Sequence, residues 1–294
     1  MSDQAEKLRE MALAAGIDRS LPPQAPPKRR QGRCKSIAVT SGKGGVGKTT
    51  LSLVLGASLA RLDKRVLLMD VDLGLANIQI LLGIAPKFNI AHVVTGACAI
   101  GDIVVEVAPN MFLAPGASGF EQLSNIDMGR FERLRADFAG LEEGYDFLIM
   151  DTGAGIGNTV TGFARHADLV LLVMTPDPSS MADAYAMVKV LYEKGNTNVA
   201  VVVNMAANEG EGRESFEMLR AMVEKFLKKP IRLYAILVSE REVLRLGRKQ
   251  LHLAGGGDAN FYKTVAALAK RLSGHHQSQS AARGGFFSKF FGGA

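Results

Sequence analysis

The stretch SIAVTSGKGGVGKTT, residues 36–50, decides the fold. Ser36 to Thr40 is short, uncharged and rich in β-branched and small residues, the pattern of a strand buried on both faces. Gly42 to Thr49 satisfies G-x-x-x-x-G-K-[ST], with a strand pattern before it and a helical one after it. Glycines at 42, 44, 45 and 47 leave the backbone N–H groups free to point at phosphate oxygens, and the following helix adds its positive N-terminal end. In this reading Lys48 holds the β and γ phosphates and the Thr49 hydroxyl ligates Mg²⁺, with Val46 and Thr50 completing the loop.

The same residues also spell Gly42-x-Gly44-x-x-Gly47, a dinucleotide fingerprint, and Asp70 lies where a ribose-binding acid would stand. A dinucleotide site has no use for a lysine and a hydroxyl directly after its last glycine, nor for a second acid, Asp151, closing a later strand. Lys48, Thr49 and Asp151 therefore favour the phosphate loop.

Outward from the loop, the apolar runs SIAVT, VLLMD, NMFLAP, FLIMD, LVLLVMT, VAVVVN and LYAILV alternate with helical patterns. That alternation predicts an α/β fold, a doubly wound, mostly parallel sheet flanked by helices. Residues 36–272 form this domain. Before it lie an amphipathic helix over 1–16 and a Pro-rich, basic linker over 17–35; after it come a polar linker over 273–283 and an apolar segment over 284–294. Asp70 and Asp72 at the end of VLLMD, and Asp151 at the end of FLIMD, belong to the crevice at the carboxyl ends of the strands.

Composition narrows the function. Cys34 and Cys98 have no paired spacing, which excludes a zinc ribbon or a cysteine-held cluster within one chain, and the five histidines show no metal-ligand spacing. The N-terminus does not read as a signal peptide and no apolar run reaches the ~18 residues of a membrane span, so a cytoplasmic protein is expected. The net charge of +6 suits an anionic partner.

KGGVGKTT, residues 43–50, resembles the deviant Walker A motif of the MinD/ParA family of dimeric P-loop ATPases. The resemblance implies ATP or ADP with Mg²⁺ as ligands and an ATP-dependent homodimer in which Lys43 reaches the partner's phosphates. It implies that Asp151 is the Walker B carboxylate acting on Mg²⁺ through water, that Gly153 offers its N–H to the γ-phosphate, and that Asp72, beside the metal, orients the attacking water. Asn204 stands where the family places a polar group against adenine. The family's proline-containing turn after the next strand is replaced here by Leu237-Val238-Ser239-Glu240-Arg241.

The tails sharpen the resemblance. Asp3, Gln4, Ala5, Leu8 and Arg9 form D-Q-A-x-x-L-R, similar to the activator helix of the FlhG-type members, which set flagellar number and place and stimulate the GTPase FlhF. DTGAGI, residues 151–156, is also FlhG-like. Phe286, Phe287, Phe290 and Phe291, with Lys289, fall at spacing that puts the rings on one helical face, and the segment resembles the membrane-targeting helix of MinD. Peripheral attachment to the inner face of the membrane in the ATP state is expected, with docking on the chain's own domain or on a partner as the alternative. Flagellar switch (C-ring) proteins or a transcription regulator are further partners the resemblance implies. Two other readings are a ParA-like partition ATPase on DNA, the less favoured partner, and a nucleotide-gated adaptor.

Overall fold

The structure, a computed structural model, describes residues 33–72, 77–116, 128–196, 198–240, 259–274 and 285–292. The D-Q-A-x-x-L-R residues Asp3 to Arg9, the linker up to residue 32, and the basic stretch 241–249 lie outside the described residues.

Eight strands form one sheet in the order β3-β4-β2-β5-β1-β6-β7-β8. They are β1 (Lys35–Ser41), β2 (Val66–Val71), β3 (Val105–Ala108), β4 (Met111–Ala114), β5 (Phe147–Ala154), β6 (Leu169–Met174), β7 (Val199–Ala206) and β8 (Arg232–Val238). All neighbours pair in parallel except β3 with β4. The seven expected strands are present, and β3 is an eighth. Its four residues are largely half-buried, so VEVA at the sheet edge lacks the apolar run that marks the others.

The helices are α1 (Lys48–Ala60), α2 (Asn77–Leu82), α3 (Ile90–Thr95), α4 (Met128–Glu142), α5 (Asn158–His166), α6 (Pro178–Glu193), α7 (Glu209–Leu227), α8 (Asn260–Gly274) and α9 (Phe286–Gly292). From β1 the chain moves one way along the sheet to β2, whereas β4 to β5, β5 to β6, β6 to β7 and β7 to β8 move the other way. Right-handed crossovers therefore place α1 on one face and α4 to α7 on the other. The core follows this division. Ile37 and Val39 of β1 pack with Leu51, Leu55 and Leu59 of α1 and with Val265 and Leu268 of α8. Ala38 packs in the second layer with Phe138 of α4, Phe163 of α5, Met187 of α6, Leu219 of α7 and three phenylalanines of α9. The reversal of direction at β1 opens a crevice at its carboxyl end, where the phosphate loop emerges.

Candidate functional site

The loop from Gly42 to Gly47 turns over the carboxyl end of β1. Gly45 and Gly47 have φ of 75° and 89°, left-handed values that favour glycine. The loop is also pressed from two sides. A Cβ at Gly42 would come 2.4 Å from the backbone carbonyl of Asp183 in α6, and one at Gly47 would come 2.4 Å from Asn204 Nδ2. Asn204, two residues before the end of β7, donates through Nδ2 to the Val46 carbonyl at 2.7 Å. Its amide nitrogen thus braces the loop, which differs from the adenine contact the resemblance implies.

Beneath the loop, Lys48 is 8% exposed and Asp151 only 1%. Burial lowers the Lys48 pKa, opposed by the negative charges of Asp151 and Asp72. Burial pushes the Asp151 carboxyl up to about 6, against hydrogen bonds from Thr49 and Ser52 and the charge of Lys48. Ser52 Oγ donates to Asp151 Oδ1 at 3.1 Å. Ser52 was missed in the sequence, although it lies three residues after Thr49 and so on the same helix face. Asp70 neighbours Asp151 in the β2–β5 register. It accepts from the amides of Asp72 and Ile78, both at 3.3 Å, a turn-holding role rather than a ligand's. Burial and the charge of Asp151 raise its pKa to about 7. Asp72 lies just past β2, and its Oδ1 would be 3.2 Å from a Cβ on Gly153, so the glycine lets the two loops close on each other.

A cavity of about 380 Å³ opens onto Lys48, Thr49, Thr50, Asp72, Asn204 and Glu240. A second, of about 620 Å³, adjoins it and is lined by Lys43, Asp177, Met205 and Glu211 among others. The structure therefore brings the candidate residues of the loop, Asp72, Asn204 and, below them, Asp151 to one crevice. Lys43 lines the second of these cavities. Its ammonium is held within the same chain, 3.0 Å from Asp177 Oδ1 and 2.7 Å from Ser179 Oγ. Asp177 also caps α6 through the Ser180 amide at 2.9 Å. The hydroxyls of Ser179 and Thr175 and the Ser180 amide hold its carboxyl well below the usual range. Asp-Pro-Ser-Ser is a readable helix start, but its partnership with Lys43 is not. Ile80 of α2, Ile156 just after β5 and Met205 near the carboxyl end of β7 are 60%, 50% and 37% exposed toward the same end of the sheet.

The C-terminal helix is the second candidate site. Of its expected membrane residues, Phe286, Phe287 and Phe291 are 0%, 0% and 4% exposed in a groove between α4 and α5. Phe287 meets Phe138 with ring centroids 4.8 Å apart, Phe290 stacks on Phe163 at 4.7 Å, and Phe291 meets Phe131 edge-on at 5.3 Å. Glu142, the last residue of α4, accepts the amides of Phe286 and Phe287 at 2.8 and 3.1 Å, an anion on the positive end of α9. Lys289 donates to Asp168 at 2.7 Å. The rings share a face as the pattern predicts, and in this structure the face is covered by the chain itself. Among the described residues no helix is long and apolar enough to cross a membrane.

A family model described as an AAA domain matches residues 34–201, more than half of the chain. The chain is 39% identical to the antiactivator FleN of Pseudomonas aeruginosa over 73% of its own length and 77% of that protein's. The chain belongs to the MinD/ParA family, in its FleN and YlxH branch. Accordingly, it is also 39% identical to the flagellum site-determining protein YlxH of Helicobacter pylori, over 64% of each chain. Among solved structures, the MinC:MinD cell division complex of Aquifex aeolicus superposes with a TM-score of 0.68 at 27% identity, covering 86% of this chain and 100% of that one. MinD of Pyrococcus horikoshii complexed with Mg-ADP shares the fold, with a TM-score of 0.64 at 21% identity over 84% of this chain and 100% of that one. The family is one of P-loop ATPases, and the eight-stranded sheet with its loop after β1 is that fold.

Proposed function

We propose that this chain is a slow, switch-type ATPase that dimerises with ATP, attaches to the membrane through α9, and regulates flagellar number or placement. The observation that carries the reading is the presence in one chain of a complete phosphate-binding crevice and a four-phenylalanine helix stored in a groove of its own. One relative is an antiactivator and the other a flagellum site-determining protein, which supports the flagellar assignment.

In this reading the loop amides and Lys48 bind the ATP phosphates, and Asp72 orients the attacking water and takes up its proton. Positioned charge is most of what phosphoryl transfer asks of a protein. The donor set fits Mg²⁺: Thr49 supplies a hydroxyl, and Asp151 and Asp72 supply hard carboxylate oxygens. Among the described residues no cluster of three or more His, Cys, Asp or Glu side chains could cage a metal, in keeping with an ion held largely by water and phosphate. Magnesium would neutralise charge on the transferred phosphoryl group. The apolar residues Ile80, Ile156 and Met205 around the crevice support a homodimer formed over it. Residues 3–9 present the activator motif to the GTPase FlhF, with C-ring proteins or a transcription regulator as further partners. Hydrolysis returns the protein to the monomer, in which α9 is seated.

Liposome co-sedimentation of the full chain tests the proposal, with ATP, ADP or no nucleotide, beside Lys43→Ala and a chain ending at Arg283. Pelleting with ATP alone, lost in both variants, is the expected result. A full chain that ignores lipid in every nucleotide state would reduce α9 to a structural helix and remove the membrane arm of the reading.

A further inference from the structure

Asp168, the residue before β6, carries two cations on one oxygen. Arg33 Nη2 lies 2.5 Å and Lys289 Nζ 2.7 Å from Oδ1. The other oxygen is fully engaged by the Ser36 amide at 3.0 Å and the Ser36 hydroxyl at 2.8 Å, so the carboxylate cannot turn to give each cation its own acceptor. Arg33 is the first described residue, joining the N-terminal segment to β1, while Lys289 belongs to α9. One carboxylate therefore holds both the residue that leads into β1 and the helix α9. The three side chains are 27%, 28% and 17% exposed for Arg33, Lys289 and Asp168, so water screens the two positive charges from each other only in part. Arg33 Nε is buried without an acceptor, and the guanidinium donates to this carboxylate while its charge also reaches Glu142.

We propose that Asp168 couples the two ends of the chain with negative sign. Seating α9 brings Lys289 onto Oδ1 and weakens the hold on Arg33; releasing α9 leaves Oδ1 to Arg33 and tightens that hold at the start of β1. By reciprocity, pulling Arg33 away tightens α9. A partner that engages the N-terminal segment and a surface that engages α9 then act against each other. This holds whatever each of them is, and independently of the membrane reading. The neighbouring charges do not remove the effect. Lys35 adds positive charge beside Asp168; Glu142, which accepts the amides of Phe286 and Phe287, feels the negative charge of Asp168 more than the positive charge of Arg33. His166, beside Lys289, has its pKa lowered by burial and by the cations around it, and is neutral at pH 7.

The test is amide hydrogen exchange across residues 285–292 in the nucleotide-free full chain at pH 7. Arg33→Gln should slow exchange of the Phe286 and Phe287 amides about fivefold, the low end for coupled sites. Arg33→Lys, which keeps the charge, should return exchange toward the parent value, and Lys289→Gln should speed it. In an Asp168→Asn background, Arg33→Gln should have no effect. Faster or unchanged exchange in Arg33→Gln overturns the proposal, and does so without requiring the Asp168 variant to fold.

Discussion

Lys43 and Asp177 are 134 residues apart in sequence and 3.0 Å apart in the fold. The lysine expected to act across a dimer face is thus parked inside its own subunit, on the carboxylate that caps α6. Both side chains are 42% exposed, so the pair contributes about 0.5–1 kcal/mol per subunit. Asp177→Asn keeps the cap, since asparagine caps a helix as well as aspartate does, and removes the charge. The variant should dimerise two- to fivefold more readily with ATP, measured by light scattering across protein concentration. An unchanged or weaker dimer would mean that Asp177 does not restrain Lys43.

The groove under α9 gives a second prediction. Removing the Glu142 side chain by Glu142→Ala leaves two helix-end amides without their acceptor, at a cost of about 1–3 kcal/mol. The loss falls on α9 and spares the sheet. Vesicle binding without nucleotide should rise about five- to tenfold while the melting temperature of the core changes little. A variant that melts early with no gain in lipid binding would show that Glu142 serves the core.

Gly42 and Gly44 belong to one motif but differ in what surrounds them. A Cβ at Gly42 meets the Asp183 backbone at 2.4 Å, whereas at Gly44 nothing lies within 4 Å. Backbone cannot rotate aside as a side chain can, so Gly42→Ala must displace the loop or α6. Its melting temperature should fall by several degrees, with that of Gly44→Ala unchanged. Differential scanning fluorimetry on both variants decides the point, and equal melting temperatures would mean that the loop moves freely.

Contiguity governs how much of this could be read from sequence. Gly42 to Thr49 is a continuous pattern, and Asp151 ends a charge-free apolar run, so both declare themselves. Six strands do likewise because burial on both faces writes an apolar run, and β8, an edge strand only partly buried, still carries the apolar LYAILV. The edge strand Val105–Ala108 does not, being half-buried. The partners of Lys43, Glu142 and Asp168 come from distant segments, and no local pattern records them. The rings of α9 announce an apolar face, but only the packing of Phe138 and Phe163 reveals what covers it.

Asn204 separates two roles that sequence could not. Its amide nitrogen braces the Val46 carbonyl at 2.7 Å, so Asn204→Ala frees the loop whatever base the nucleotide carries. Affinity for ADP, GDP and pyrophosphate should fall together, about five- to tenfold by calorimetry, for the loss of a buried hydrogen bond. A loss confined to ADP would assign the side chain to the base.

The buried pair Asp70 and Asp151 sets the pH response of the nucleotide-free protein. Their carboxyls are raised to about 7 and about 6, chiefly by burial, so between roughly pH 4 and pH 7 the folded chain binds more protons than the unfolded one. Stability from this pair is present below the ordinary carboxylate pKa and is lost as pH rises through the raised values. Glu142, also raised by burial, acts in the same direction. His166, lowered to about 4, acts in the opposite one, more weakly because it is half-exposed. Asp168 and Asp177 are lowered and titrate below this window. The melting temperature without nucleotide or metal should therefore be lower at pH 7.5 than at pH 5.5. Asp70→Asn keeps an acceptor for only one of the Asp72 and Ile78 amides, turns its NH2 toward the other, and removes the ionisable group beside Asp151. It should flatten the slope between the two pH values, because the altered hydrogen bonding is the same at both while the titration of Asp70 is gone. A slope undiminished in Asp70→Asn would move its origin to Asp151 or to Glu142 at the foot of α9, and Glu142→Gln would tell the two apart.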